Sequence, residues 1–399
     1  MNNNILSQRV QSVEPSVTLS IASVAAELKA AGEDVISLSV GEPDFHTPSH
    51  IKQAGIDAIN NNQTKYTAVD GIPTLKQAII NKFKNDNDLD YTPSQILVSS
   101  GGKQSFYNLC QATINPADEV IIPAPYWVSY PPMVQLASGV PVIVQTNMAD
   151  DFKITPQQLE EAITNKTKLF VINSPSNPTG FVYNKQELKN LSEVLLKYPK
   201  ILIATDDMYE HIQWTGDKFV NILNAEPKLY DRVMILNGVS KAYAMTGWRI
   251  GYCAGDKNII KAMKKVQSQS TSNPCTISQM ASISALAGDQ KCVNEMNKEF
   301  IKRADLMNSL LNQIDGVKCN KADGTFYAFA NCSGLIQKLN LKNDVELSSW
   351  ILKEAQVAIV PGTAFGCDNH LRFSFATDEA TLTKAIDKIK QAIANKTRA

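Results

Sequence analysis

The chain has 399 residues with equal numbers of acidic and basic side chains, so its formal net charge is zero. A balanced charge argues against a nucleic-acid partner, since DNA- and RNA-binding domains usually carry a basic surface. The sequence contains no run of 18 or more apolar residues that would span a membrane. This length favours two or three domains of globular-enzyme size, with small molecules as the expected partners.

The cysteines and the N-terminal stretch indicate the compartment. Seven cysteines are scattered along the chain without a CxxC pair, which is typical of reduced thiols rather than of a disulfide framework or a zinc site. Residues 1–15 lack the cationic start and apolar run of a signal peptide. His46 and His50 are separated by Pro48 and have no evident third ligand. We therefore expect a cytoplasmic protein without a metal site.

Seven apolar, β-branched runs alternate with stretches of helical periodicity. Such runs suit strands that are buried on both faces, and their alternation with helices predicts a mainly parallel sheet of the α/β class. The predicted strands are, in chain order, 95–100, 119–125, 140–146, 168–173, 201–206, 233–238 and 249–255. Covering helices with capping residues at their starts are predicted at 155–163 and 184–198.

The pattern changes after about residue 288. A long helical stretch over 292–314 precedes shorter predicted strands at 325–330, 357–362 and 370–376, which indicates a second, smaller α+β domain. The expected division is an N-terminal arm with part of the small domain at 1–45, a large domain at 46–288 and a small C-terminal domain at 289–399.

Chemistry-bearing residues follow five of the predicted strands. Ligands bind beyond the carboxyl ends of the strands in a parallel α/β sheet, so these residues are expected to share one site. Gly101 and Gly102 open a helix after the first of these strands, where free N–H groups and the helix dipole favour a phosphate. The other four strand ends are followed by Tyr126 and Trp127, by Asn177, by Asp206 and Tyr209, and by Lys241.

Each of these features alone is typical of a turn, a core aromatic, a helix cap or a solvated surface side chain. Together they meet the needs of pyridoxal phosphate. That cofactor requires a lysine for its aldehyde, a carboxylate for its ring nitrogen, donors for its ring oxygen, an aromatic over its ring and an anion site for its phosphate. The sequence offers a candidate for every one of these positions.

Eight sequence blocks, in order along nearly the whole chain, carry a resemblance to a known family. They are "LSVGEPDFHTP", "TKYTAVDGIPTLKQAI", "SSGGKQ", "PYWVSYP", "NSPSNPTG", "TDDMYEH", "SKAYAMTGWRIGY" and "LRFSFAT". The chain resembles the class I, fold-type I aminotransferases, and among them the bacterial aspartate aminotransferases that lack the animal-type arginine for the distal carboxylate. The resemblance implies a transaminase that uses pyridoxal 5'-phosphate in its large domain.

The resemblance also implies roles for individual residues toward the cofactor. Lys241 resembles the lysine that bonds the cofactor and, once freed, acts as the general base. The other implied contacts are Arg249, Gly102 and the backbone of Lys103 to the phosphate, Asp206 to the ring nitrogen, Asn177 and Tyr209 to the ring oxygen, and Trp127 over the ring. Tyr66 would reach the phosphate from a second subunit, which implies a homodimer with shared active sites.

The implied substrate site takes amino acids and 2-oxo acids. Arg372 resembles the clamp for the α-carboxylate, and Gly41, Trp127 and Asn177 would lie against the substrate. Lys103, helped by Ser16 and Thr18, would bind the distal carboxylate. These roles predict an enzyme that moves the amino group of aspartate, with glutamate and 2-oxoglutarate as the other pair.

Two alternatives stay open. The first is an enzyme of the same fold that acts on aromatic, prephenate-type or other neutral compounds, or a C–S lyase; an enzyme for uncharged side chains would have no use for Lys103. The second is a non-catalytic regulator with an aminotransferase-like domain. Such a regulator would carry a basic DNA-binding domain, whereas only residues 1–39 precede the "VGEPDF" block.

Overall fold

A computed structural model describes residues 5–15 and 17–398. The strands in this part of the chain are β1 (Ile36–Ser37), β2 (Ile96–Ser99), β3 (Glu119–Ala124), β4 (Val140–Gln145), β5 (Thr167–Asn173), β6 (Leu202–Asp206), β7 (Val233–Gly238), β8 (Gly251–Ala254), β9 (Lys318–Cys319), β10 (Tyr327–Asn331), β11 (Val357–Ala358), β12 (Val360–Pro361) and β13 (His370–Ser374).

The α-helices of the same residues are α1 (Gln8–Gln11), α2 (Val17–Ala30), α3 (Ser49–Asn60), α4 (Pro73–Asn87), α5 (Gly102–Thr113), α6 (Tyr130–Leu136), α7 (Pro156–Ala162), α8 (Lys185–Lys197), α9 (Ile222–Ala225), α10 (Lys257–Ser268), α11 (Thr276–Ala287), α12 (Lys291–Asn312), α13 (Ser333–Lys338), α14 (Asp344–Ala355) and α15 (Glu379–Arg398). No helix of the described residues combines the length and apolar composition that a membrane span requires.

A seven-stranded sheet forms the centre of the fold, in the order β2-β8-β7-β6-β5-β3-β4. All seven strands predicted from the apolar runs are present, and the prediction of a mainly parallel α/β sheet is confirmed. Strand β8 is antiparallel to both of its neighbours. It follows β7 without a crossover helix, and parallel pairing requires such a crossover, so the sheet is mixed.

Alternating side chains of the strands enter two different apolar layers. In β2, Ile96 and Val98 pack in the layer that contains residues of α3, α4, α8 and α11, whereas Leu97 packs with residues of α5, α6 and α10. Successive side chains of a strand point to opposite faces, so an uninterrupted apolar run is needed where both faces are covered. This burial is why the seven runs could be recognised in the sequence.

The capping residues expected from the sequence are also in place. Thr155 and Gln158 form a capping box at the start of α7, and Asn184 and Glu187 form one at the start of α8. In each case a side-chain oxygen accepts from a free N–H of the first turn, which would otherwise lack a partner.

A second core lies in the C-terminal part of the chain. The antiparallel sheet β12-β13-β10-β9 packs with apolar residues of α12, α14 and α15. Ile36 and Leu38 from the N-terminal region belong to this same core, because β1 pairs in parallel with β11. The segment that follows β1 therefore leads from the second core toward the carboxyl edge of the large sheet.

Candidate active site

A cavity of about 370 Å³ lies at the carboxyl edge of the large sheet. Strands β2, β3, β5, β6 and β7 run in the same direction, so the loops that follow them meet at this edge. Ten residues singled out from the sequence line the cavity: Gly41, Gly102, Lys103, Trp127, Asn177, Asp206, Tyr209, Lys241, Arg249 and Arg372. Eight come from the large sheet, from the loops that follow its strands or from the start of α5, while Gly41 follows β1 and Arg372 lies in β13.

The amine of Lys241 lies in the cavity and donates to the carbonyl of Gly41 at 2.5 Å. Burial lowers the pKa of Lys241 to about 8, and the positive charges of Arg372 and Arg249 act in the same direction. Glu42 acts in the opposite direction through its negative charge. A lysine with this pKa is partly neutral near physiological pH and can bond an aldehyde or accept a proton.

Asp206 occupies the last position of β6, and its carboxylate is held by two donors. The hydroxyl of Tyr130 donates to Oδ2 at 2.5 Å, and the backbone N–H of Met208 donates to Oδ1 at 3.2 Å. Burial raises the pKa of Asp206, while the Tyr130 hydrogen bond opposes that shift most strongly. The site thus contains a half-buried carboxylate that a cationic partner would stabilise.

The hydroxyl groups of Tyr209 and Tyr327 form a hydrogen bond of 2.9 Å beside the cavity. The Tyr327 hydroxyl would lie 2.7 Å from a Cβ added at Gly41, so a side chain at this glycine would collide with it. The ring of Tyr327 also faces the guanidinium of Arg372, 4.4 Å from ring centroid to Cζ. Tyr327 therefore contacts both the phenol and the cation of the site.

Arg372 is 3% exposed and is fixed from two sides. One terminal nitrogen donates to Oδ1 of Asn177 at 3.0 Å, and the other donates to the carbonyl of Ser39 at 2.7 Å. The Nε of Arg372 is buried and has no hydrogen-bond partner among the described residues. A buried, unpaired guanidinium N–H in a cavity is suited to a carboxylate ligand, which guanidinium groups bind in a two-point geometry.

An anion cradle is formed by Gly101, Gly102, the first turn of α5 and Arg249. Gly101 has a φ of 93°, and a Cβ added there would lie 3.0 Å from the guanidinium carbon of Arg249. Arg249 itself has a φ of 56° and donates from one terminal nitrogen to the carbonyl of Thr246 at 2.8 Å. The glycine and the left-handed turn together bring a cation to the free N–H groups of a helix, where a phosphate binds favourably.

Lys103 lies in the first turn of α5, with Nζ 5.2 Å from the ring centroid of Trp127. The side chain is exposed, yet partial desolvation and the charge of Arg249 lower the pKa of Lys103. The ammonium group is therefore near the cavity and is not paired with a carboxylate in the described ion pairs. It is positioned to receive a negative charge beside Trp127.

Of the three remaining predicted site residues, only Tyr66 has a described side chain, and it is not among the residues that line the cavity. Tyr66 is 92% exposed and lies between α3 and α4. Ser16 lies outside the described residues, and for Thr18 the structure describes the backbone of α2 but not the side chain. The roles of these three residues stay predictions.

Several cavity residues were missed in the sequence, including Glu42, Met208, Ser240, Thr246 and Tyr327. Glu42 accepts from the hydroxyl of Thr246 at 2.7 Å, which links the segment after β1 to the turn before Arg249. The positions of Glu42, Met208 and Ser240 next to recognised motif residues were the available signal. Nothing in the local pattern marked Tyr327, whose place depends on how the second core packs against the sheet.

A mainly parallel sheet whose strand ends surround a half-buried amine, a half-buried carboxylate and a buried guanidinium matches the fold-type I class of transferases. A Rhizobium meliloti aspartate aminotransferase structure matches with a TM-score of 0.94 and 45% identity, covering 98% of both chains. A Thermus thermophilus aspartate aminotransferase solved with maleate matches with a TM-score of 0.91 and 39% identity, over 97% of this chain and 99% of that one. The chain belongs to the family of class I and II aminotransferases, which residues 33–389 match.

A curated relative gives the same result over the full length. The aspartate/prephenate aminotransferase of Nitrosomonas europaea is 56% identical over 390 residues, which cover 96% of this chain and 98% of the relative. The prediction of an aminotransferase is therefore confirmed, and the substrates of the family are amino acids and 2-oxo acids.

Proposed function

We propose that this chain is an aspartate aminotransferase that uses pyridoxal 5'-phosphate and has glutamate and 2-oxoglutarate as its other substrate pair. The observation that carries the proposal is the grouping of three ionisable groups in one cavity, the half-buried Lys241 and Asp206 and the buried Arg372. The names of the Nitrosomonas europaea relative and the Rhizobium meliloti structure support aspartate as a substrate.

The residues present fit the cofactor. Only a glycine at 101 leaves room for the Arg249 guanidinium beside the first turn of α5, so the cradle suits a phosphate. The other proposed contacts are Lys241 to the aldehyde, Asp206 to the ring nitrogen, Asn177 and Tyr209 to the ring oxygen, Trp127 over the ring, and Gly102 with the backbone of Lys103 at the phosphate. When bound, pyridoxal phosphate supplies an electron-withdrawing ring that stabilises negative charge at the substrate's α-carbon.

The protein's own groups then orient the substrate and move its proton. Arg372 binds the α-carboxylate through its unpaired Nε and a terminal nitrogen, which fixes the α-carbon beside Lys241. The neutral amine of Lys241 takes the proton from the α-carbon, as its lowered pKa allows. The carbonyls of Ser39 and Gly41 accept hydrogen bonds from Arg372 and Lys241, so one short segment sets the spacing between clamp and base.

Lys103 is the proposed receptor for the distal carboxylate, with Ser16 and Thr18 as helpers. Its ammonium lies beside Trp127 at the cavity, with no carboxylate of the described chain bound to it. The Thermus thermophilus relative was solved with maleate, a four-carbon dicarboxylate, which supports a site of this size and charge. Gly41, Trp127 and Asn177 would line the substrate between its two carboxylates.

The test is the ratio of kcat/KM for aspartate to kcat/KM for alanine. We expect Lys103→Ala to lower this ratio roughly 10- to 150-fold, which corresponds to about 1.5–3 kcal/mol, the range for a hydrogen bond to a charged group. Alanine has no distal carboxylate, so its own kcat/KM should stay level or rise. Lys200→Ala, which removes an exposed lysine just before the amino end of β6 and so away from the carboxyl edge that carries the site, is the control. An unchanged ratio in Lys103→Ala would refute the specificity proposal.

Prephenate is a second candidate oxo acid. The observation that favours prephenate is the name of the Nitrosomonas europaea relative, which includes both aspartate and prephenate. Prephenate carries a second carboxylate as aspartate does, so the same cation could serve. Amino transfer from glutamate to prephenate, measured beside transfer to oxaloacetate, tests it directly.

The proposed working unit is a cytoplasmic homodimer. Tyr66 is almost fully exposed, whereas its neighbour Lys65 is held through a hydrogen bond from the Thr276 hydroxyl to the Lys65 carbonyl at 2.8 Å. An aromatic side chain displayed on a fixed backbone suits contact with a second subunit, whose phosphate site it would complete. The seven free cysteines support a reducing compartment.

A further inference from the structure

Tyr130 is a buried residue next to the site that lies in the block "PYWVSYP" but has no role in the contacts proposed above. It begins α6, is 2% exposed, and its ring packs edge-on against Trp127 and Phe106 at centroid distances of 5.2 and 4.9 Å. These contacts fix the direction of the phenol. Its hydroxyl donates to Oδ2 of Asp206 at 2.5 Å.

Asp206 depends on this hydrogen bond because the described surroundings offer its carboxylate few other stabilising groups. Burial opposes ionisation of Asp206 and raises its pKa. Three groups lower the pKa of Asp206 and so oppose the effect of burial. In decreasing order of size they are the Tyr130 hydroxyl, the backbone N–H of Met208 and the charge of Lys241. Lys241 is partly neutral itself, so the Tyr130 hydroxyl is the largest fixed contribution that favours the carboxylate.

A carboxylate and a pyridine nitrogen that face each other compete for one proton. A hydrogen bond donated to the carboxylate stabilises its charged form and makes it a weaker base, which leaves the proton on the nitrogen. We propose that Tyr130 is a positioning residue whose buried hydroxyl keeps Asp206 ionised, so that the shared proton stays on the ring nitrogen of the cofactor. The inference rests on the proposed role of Asp206.

Other titratable groups face this pair from the neighbouring elements. Lys241 comes from the loop after β7, and Asp207 and Tyr209 come from the segment after β6. Each stays in place when only the Tyr130 hydroxyl is removed. Tyr130→Phe therefore changes one donor and keeps the ring that packs against Trp127 and Phe106.

The experiment compares wild type and Tyr130→Phe after loading with pyridoxal phosphate labelled with ¹⁵N in the ring. The ¹⁵N resonance reports whether the ring nitrogen carries a proton, independently of turnover. We expect a protonated nitrogen in the wild type and a growing unprotonated fraction in Tyr130→Phe as the pH rises. The dissociation constant of the cofactor should increase about tenfold, which corresponds to about 1.4 kcal/mol.

Tyr91→Phe is the matched control, because the Tyr91 hydroxyl is also buried but has no hydrogen-bond partner among the described residues. It should change neither the ¹⁵N signal nor the cofactor affinity. If Tyr130→Phe behaves like Tyr91→Phe in both measurements, the inference is overturned. The inference is overturned as well if Tyr130→Phe only lowers the melting temperature and leaves the nitrogen protonated.

Asp206→Asn separates this inference from the proposed function. If Asp206→Asn binds the cofactor as tightly as wild type, the assignment of Asp206 to the ring nitrogen fails, and the role of Tyr130 fails with it. If Asp206→Asn loses affinity but Tyr130→Phe leaves both readouts unchanged, the cofactor site stands and only the inference about Tyr130 is wrong.

Discussion

The amine of Lys241 lies where little water reaches it, and the result is a pKa of about 8. Only the neutral amine attacks an electrophile, so this lysine gains reactivity at a pH where an ordinary lysine is still charged. Glu42 moderates the effect, since its negative charge favours the ammonium form. Two residues that are 199 positions apart in the sequence thus set the reactivity of one atom.

We predict how acylation of Lys241 depends on pH in the cofactor-free protein. The extent of labelling by a short pulse of acylating reagent should rise with pH, with a midpoint near pH 8. Glu42→Gln should move the midpoint lower, because removal of the negative charge favours the neutral amine. Mass spectrometry of the labelled peptides measures each lysine separately, and exposed lysines such as Lys200 are internal controls. A midpoint near 10.5, the ordinary value for a lysine, would contradict the described burial.

At the scale of elements, the anion cradle joins the start of α5 to the turn that precedes β8. Gly101 makes the junction possible in two ways, since its φ of 93° disfavours other residues and its missing Cβ leaves space for Arg249. The two effects are separable, because Gly32 has a φ of 94° and an added Cβ there would meet nothing within 4 Å.

We predict that Gly101→Ala weakens cofactor binding by about tenfold or more, because the methyl group displaces the Arg249 guanidinium. Gly32→Ala should share only the backbone strain, roughly 1–2 kcal/mol of unfolding free energy, and keep wild-type affinity. Calorimetric titration with pyridoxal phosphate and denaturant unfolding give the two quantities. Equal affinities of the two variants would show that Arg249 does not need this glycine.

Some elements of the fold could be predicted from the sequence, and others could not. The strands of the large sheet were predictable because burial on both faces demands continuous apolar runs, as in Val233–Gly238. The residues at their carboxyl ends were predictable because topology brings those ends together. The pairing of Ile36 with Val357 could not be predicted, since two-residue strands carry no periodic signal in the sequence. Tyr130 was also missed, because its hydrogen bond to Asp206 depends on the packing of α6.

At the scale of the whole molecule, Tyr66 is a feature of the described residues that the single chain does not explain. Its side chain is 92% exposed although the polar contacts of its segment hold the backbone, with Gln267 donating to the carbonyl of Val69 at 2.7 Å. A large aromatic side chain held out in water gains nothing from its position in one subunit. The proposed dimer gives it a partner.

We predict that co-expression of Lys241→Ala chains with Tyr66→Ala chains restores activity. In a mixed dimer, one site combines the intact Lys241 of one subunit with the intact Tyr66 of the other, so about half of the wild-type activity per dimer should return. Differently tagged chains allow the mixed dimer to be purified, and sedimentation gives its mass. Activity no higher than the average of the two parent homodimers would contradict a shared site.

The place of β2 at the edge of the large sheet has a consequence for synthesis on the ribosome. Its strand partner is β8, which is translated only after five further strands of the sheet. Until β8 has been made, the nascent chain carries β2 without its hydrogen-bonded neighbour. Arg249 and the turn that completes the cradle also emerge only then. A ligand stabilises the state that binds it, so the proposed cofactor would gain the complete cradle only in a chain that has been made past Arg249. Binding of the proposed cofactor through the complete cradle would therefore follow translation of Arg249, when six of the seven strands of the large sheet have been made.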